Sequence, residues 1–242
     1  MSENEILIHL HMPKTAGTTL KHIIKKNIPP SVNFDIYEDL QQRKKKLIAL
    51  SKKHVTCIQG HFPFGVHQYF TNPCTYITML REPTDRIISQ YYFIRSRPKH
   101  TQYQKVSRMS LEEYQLQPEN INQQTRFISG QVESPITLLD LEQAKENIEK
   151  YFSFVGITEM FNESLFLLQK RFSWNNITYT KQNVTKNRPP IDQLPVNILH
   201  LIKENNEFDL ELYHYAKQLL IEQINNLDSV SKEGFHVFLE KN

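Results

Sequence analysis

Short apolar runs alternate along this chain with longer stretches in which apolar residues return every three or four positions, a pattern that predicts strands and helices in turn. The first run, Ile6-Leu7-Ile8-His9-Leu10, is short and almost wholly apolar, as a strand covered on both faces requires. Past a turn of small residues, Leu20, Ile23 and Ile24 fall at helical spacing. His54-Val55-Thr56-Cys57-Ile58-Gln59 reads as a second strand, broken by Gly60 so that His61 stands on a loop. Thr75 to Leu80 reads as a third, ending at Arg81, and Pro83 suits the first turn of the helix that follows. Leu138 to Lys150 then predicts a helix, Phe152 to Gly156 a strand, Glu163 to Phe172 a helix and Phe208 to Asn225 a longer amphipathic helix. This alternation predicts an α/β fold with a mostly parallel central sheet and flanking helices. With 242 residues, no Gly/Ser linker and no internal repeat, a single domain over residues 1–242 is expected.

The turn after the first run carries the chemistry. In Met12-Pro13-Lys14-Thr15-Ala16-Gly17-Thr18-Thr19, Gly17 would let backbone approach an anion, and the N–H groups at the helix start carry partial positive charge. The Lys14 ammonium and the hydroxyls of Thr15, Thr18 and Thr19 add donors around a phosphate. It is not a Walker A loop, in which the lysine follows the second glycine; Lys14 precedes the only glycine here. By itself the pattern also fits an ordinary strand-to-helix turn with a capping threonine. A second segment, Leu80-Arg81-Glu82-Pro83 with Ser89, sets an arginine fork and a hydroxyl about two helical turns apart. Arg81 stands at a strand end, where ligands of open α/β sheets bind, and this pair suits a phosphate. Taken singly, Arg81 would pair with Glu82 or Asp85 and Ser89 would pack.

Together, Pro13-Lys14-Thr15-Ala16-Gly17-Thr18-Thr19 resembles the 5′-phosphosulfate loop of sulfotransferases, and Leu80-Arg81-Glu82-Pro83 with Ser89 resembles their 3′-phosphate motif. The resemblance continues through Gly60 to Gly65, Asn122 to Arg126, Phe154 to Glu159, Asn183 to Lys186 and the tail from Asn205 to Lys217. It is nearest to carbohydrate sulfotransferases of the heparan sulfate 2-O and 6-O type. It implies a P-loop-like three-layer fold and transfer of a sulfuryl group from 3′-phosphoadenosine 5′-phosphosulfate (PAPS) to an acceptor hydroxyl, without a metal. It further implies that Lys14, Thr15, Ala16, Gly17, Thr18, Thr19, Arg81 and Ser89 bind the donor, that Asn183, Thr185 and Lys186 close over it, and that Lys14 stabilises the leaving phosphate. His61 matches the histidine that serves these enzymes as general base; from the sequence alone, a lone histidine beside Phe62 and Phe64 reads as a packed residue. His67 is a second-ranked rival, whereas His9 and His11 read as structural, and Glu82 and Asp85 as ion-pair partners of Arg81 and Arg86. Gln124 and Arg126 are candidates for the cleft.

Composition narrows the rest. The net charge is only +3, so the basic clusters Arg43 to Lys46 and Arg95 to His100 read as solvated faces, and a nucleic acid partner is not expected. Tyr91, Tyr92 and Phe93 form either an aromatic wall for a sugar or core. The two cysteines, Cys57 and Cys74, lie in strand-like segments as thiols. No run of about 20 apolar residues is present to span a membrane. A full-length chain would therefore be cytoplasmic, and a trimmed one would belong to the Golgi lumen. The acceptor is expected to be a glycan. Two other functions use the same cradle: a P-loop-type phosphotransferase, and a catalytically silent nucleotide- or glycan-binding module.

Overall fold

A computed structural model describes residues 4–132, 135–180 and 188–241. Five strands, β1 (Ile6–Leu10), β2 (Asn33–Ile36), β3 (Cys57–Gly60), β4 (Cys74–Leu80) and β5 (Phe152–Ile157), form one sheet in the order β2-β3-β1-β4-β5. All four pairings are parallel. β1 is central and buried along its whole length, as its unbroken apolar run requires. Helices α1 (Gly17–Asn27), α2 (Leu40–Leu50) and α3 (Pro83–Arg95) follow β1, β2 and β4. The short helices α4 (Tyr103–Val106), α5 (Leu111–Gln115) and α6 (Gln123–Ser129) precede α7 (Leu138–Tyr151). After β5 come α8 (Phe161–Phe172), α9 (Val196–Asn205), α10 (Glu207–Asn225) and α11 (Ser229–Lys241). The fold is thus α/β, with an all-parallel sheet flanked by helices.

Two elements depart from the expected pattern. β2 and α2 fill the stretch between α1 and β3, where the short polar-apolar run Asn33-Phe34-Asp35-Ile36 gives little periodicity to read. Gly60 does not break β3 but ends it in register with Leu10 and Ile36. A Cβ there would sit 1.7 Å from the Ile36 carbonyl oxygen, so the glycine permits close strand approach.

The main core gathers residues of every strand, including Ile8, Ile58 and Ile77, with Leu20, Ile23 and Ile24 of α1 and Leu212, Ala216 and Leu220 of α10. A second cluster joins Ile87, Ile88, Tyr91 and Ile94 of α3 to Val106, Tyr114 and Ile202. Tyr91 belongs to that core. The register sets the carboxyl ends of β1, β3 and β4 side by side, and the loops leaving them converge at the point where the strand order reverses. Both cysteines are free thiols, Cys57 buried and Cys74 half-buried. No helix among the described residues is long and apolar enough to cross a membrane.

Candidate active site

The loop from β1 to α1 holds two residues in the left-handed region, Lys14 (φ 67°) and Ala16 (φ 60°). Side-chain-bearing residues adopt that backbone rarely, and it clusters at ligand clamps. Ala16 supplies no side-chain cap to α1, and the first turn carries no acidic residue, so the positive end of the helix dipole lies at the cleft. Lys14, Ala16, Gly17, Thr18 and Thr19 all line that cleft, which has a volume of about 740 Å³. Thr15 differs: it is fully buried, and its hydroxyl donates to the Met12 carbonyl at 3.1 Å, holding the turn. Gly17 also serves a purpose other than the expected one. A Cβ there would lie 2.0 Å from the His11 ring, so the glycine makes room for that imidazole.

Arg81 ties the two phosphate-type motifs together. Its Nη1 donates to Ser89 Oγ at 3.2 Å and to the Lys14 carbonyl at 3.0 Å. Its Nε donates to Asp85 Oδ2 at 2.7 Å, and Asp85 also pairs with Arg188. Asp85 is therefore shared by Arg81 and Arg188, and the two guanidiniums hold its carboxyl below the usual range against the opposing effect of burial. The expected partnership with Arg86 does not form. Arg86 is fully buried and donates to Gln90, Gln123 and the Asn120 carbonyl, while Glu82 accepts from the Asp85 N–H and caps α3.

Gln124 and Arg126 stand outside the cleft lining. Gln124 clamps Arg81 from behind, accepting from its N–H at 3.0 Å and donating to its carbonyl at 2.9 Å. Arg126 donates to the carbonyls of Val132 and Pro118. The clamp is itself anchored, because the buried Asp209 of α10 accepts from the N–H groups of Gln124 and Thr125 at 3.0 and 2.7 Å.

Lys14 lies in this cationic surround with its ammonium 3.9 Å from the centre of the Phe93 ring. Burial first, then the charges of Arg81, Arg97 and Arg188, lower its pKa to about 7. Such a lysine gains strongly from an anion placed among these cations.

His61 faces the same cleft across from the loop. Its Nδ1 lies 2.6 Å from the His11 carbonyl oxygen, which only accepts, so Nδ1 carries the proton and Nε2 is left as the base. The ring is crowded by His11 at 4.4 Å and Tyr37 at 4.8 Å between centroids. That crowding lowers the His61 pKa; the bond to His11 pulls the other way, and Lys21 adds to the lowering. Arg43 of α2 leaves the solvated face expected for its cluster and donates to the His61 carbonyl at 3.2 Å.

The other histidines sort cleanly. His9 is buried in β1 with its pKa lowered to about 4, chiefly by desolvation. His11, read as structural, lines the cleft while its Nδ1 meets the Tyr37 hydroxyl at 2.7 Å. His67 lies outside the lining, its Nδ1 3.0 Å from the Tyr76 hydroxyl and its ring stacked on Tyr151.

The far wall was not assigned from sequence. Thr158, Glu159, Phe161 and Asn162 follow β5, and Tyr179 donates to Asn162 Oδ1 at 2.5 Å. Thr158 and Glu159 fall in a family-like segment; Tyr179 carries no sequence signal. Asn183, Thr185 and Lys186 lie outside the described residues.

Residues 3–234 match the family model described as galactose-3-O-sulfotransferase. The heparin sulfate O-sulfotransferase of Drosophila melanogaster is 22% identical over 265 residues, covering 92% of this chain and 76% of its own length. Human heparan-sulfate 6-O-sulfotransferase 2 is 24% identical over 283 residues, covering 91% of this chain and 45% of its own. A crystal structure of mouse sulfotransferase SULT7A1 complexed with PAP superposes with a TM-score of 0.46 at 13% identity, covering 89% of this chain and 90% of that one.

Proposed function

Because the chain belongs to the galactose-3-O-sulfotransferase family, we propose that it moves the sulfuryl group of PAPS to a carbohydrate hydroxyl, with His61 as general base and Lys14 at the leaving phosphate. The observation that carries this reading is the convergence of the Lys14 loop, the Arg81–Ser89 pair and the His61 ring on one cleft. The donor's 5′-phosphosulfate would lie along Lys14, Thr18, Thr19 and the start of α1. Its 3′-phosphate would meet Arg81 and Ser89, distinguishing it from ATP, which has no phosphate there. Asn183, Thr185 and Lys186 complete the proposed donor loop.

Each residue's chemistry follows from its setting. As the acceptor oxygen bonds to sulfur, its proton passes to Nε2 of His61, whose Nδ1 is already committed to the His11 carbonyl. The bond from sulfur to the phosphate oxygen breaks, and its electron pair stays on that oxygen, opposite the Lys14 ammonium. The Gln124 clamp and the Asp85 carboxylate hold Arg81 still while this happens, so little reorganisation is needed. The activities for which the fly and human relatives are named support an acceptor of the heparan sulfate kind. The chain spans less than half the length of the human relative.

The test is transfer of label from PAPS to a panel of oligosaccharides. His61→Ala should bind donor product as wild type does and lose transfer by about 10²- to 10⁴-fold, the range of general base catalysis. Undiminished transfer by His61→Ala would overturn the assignment of the base; ATP turnover by the wild type would favour the phosphotransferase.

A further inference from the structure

Phe93 is the last aromatic of α3 to face the cleft, and cations crowd its ring. The Lys14 ammonium lies 3.9 Å from the ring centre and the Arg97 guanidinium carbon 3.8 Å from it. Both cations thus lie over this one ring. His100 closes the edge, nearly perpendicular to the ring at 6.0 Å. The backbone reinforces the arrangement. Lys14 is held in the left-handed region, its carbonyl is fixed by Arg81, and Arg97 sits just beyond the end of α3 with its N–H bonded to the Ile94 carbonyl.

We propose that Phe93 is a positioning residue for Lys14, its ring face holding the ammonium charged and aimed along the cleft, with Arg97 packed over the same ring. The inference rests on the reading of Lys14 as the group that meets the leaving phosphate. An aromatic face attracts a cation most strongly where water is scarce, and Lys14 is largely shielded. Arg81, Arg97 and Arg188 all disfavour a fourth positive charge. Asp85, the nearest carboxylate on α3, is already engaged by Arg81 and Arg188. Among the described residues, Glu159, Glu163 and Tyr179 stand on the far wall, and the histidines His11, His61 and His100 also line the cleft. Phe93 counters this repulsion without adding a negative charge that would repel the donor's phosphates.

The experiment is trace acetylation of Lys14 by acetic anhydride across a pH series, read by mass spectrometry on the donor-free full chain. The reagent takes only the unprotonated amine, so the labelling curve reports the Lys14 titration directly. Phe93→Leu should move that titration down by roughly half to one pH unit, the scale of a partly desolvated cation–π contact. Phe93→Tyr, which keeps the face, should restore it. Arg97→Gln should move it up, because a repelling charge is gone. Identical titration in wild type and Phe93→Leu, or movement of Phe93→Leu and Arg97→Gln in the same direction, would overturn the proposal. This readout needs no transfer, so it stands apart from the separate question of whether Lys14→Ala loses activity.

Discussion

Lys14 makes the residue-level account testable by pH. Its pKa near 7 in the donor-free chain belongs to a group lowered by burial and by three arginines. It must be protonated to meet a phosphate, so kcat/KM for the donor should fall as pH rises through about 7. Bound phosphate favours the charged form, so the corresponding limb of kcat should lie at higher pH. His61, with its pKa below the ordinary histidine value, is already neutral there and contributes only an acid limb. Initial-rate profiles of both parameters check this, and an alkaline limb at the same pH in both would contradict it. The residues that line the cleft were legible because the motifs carry them: Lys14, Arg81, Ser89 and His61 all reach it. The residues behind them were less so. Thr15 belongs to the same motif, yet it is buried and its hydroxyl bonds the Met12 carbonyl. Sequence spacing does not say which way a loop residue faces.

At the scale of elements, the site depends on a buried tie between α6 and α10. Asp209 caps the N–H groups of Gln124 and Thr125, Asn206 Oδ1 accepts from the Asn122 N–H, and Asn122 Oδ1 accepts from the Asp209 N–H. The two segments singled out separately in the sequence, Asn122 to Arg126 and the tail from Asn205, thus lock together and fix Arg81 through Gln124. Asp209→Ala would leave two buried N–H groups without an acceptor and should cost about 3 kcal/mol of stability. Thermal or urea unfolding measures that loss, and donor-product affinity should fall alongside it because the Arg81 clamp is undermined. Unchanged stability would remove Asp209 from the account. The strands and helices with strong periodicity, β1, β4, α7 and α10, were readable to within a residue or two. β2 was not: only four residues long, it is recognised by its pairing to β3 across the chain.

For the whole molecule, an all-parallel sheet brings β1, β3 and β4 to one edge and gathers a cationic, partly enclosed cleft in a protein whose net charge is only +3. That concentration of charge, rather than a generally basic surface, is what an anionic co-substrate would recognise. The fold class was visible in the alternation of elements, and the proposed donor site rests on two motifs. The far wall at Phe161, Asn162 and Tyr179 was not, since it brings the start of α8 against a loop residue that carries no sequence signal. The most direct measurement is calorimetric titration of 3′-phosphoadenosine 5′-phosphate, with ATP and adenosine 5′-phosphosulfate as comparisons, into wild type and Arg81→Ala. Selective binding of the 3′-phosphorylated nucleotide, lost in Arg81→Ala, is the result expected; no binding, or a preference for ATP, would contradict the proposed donor site.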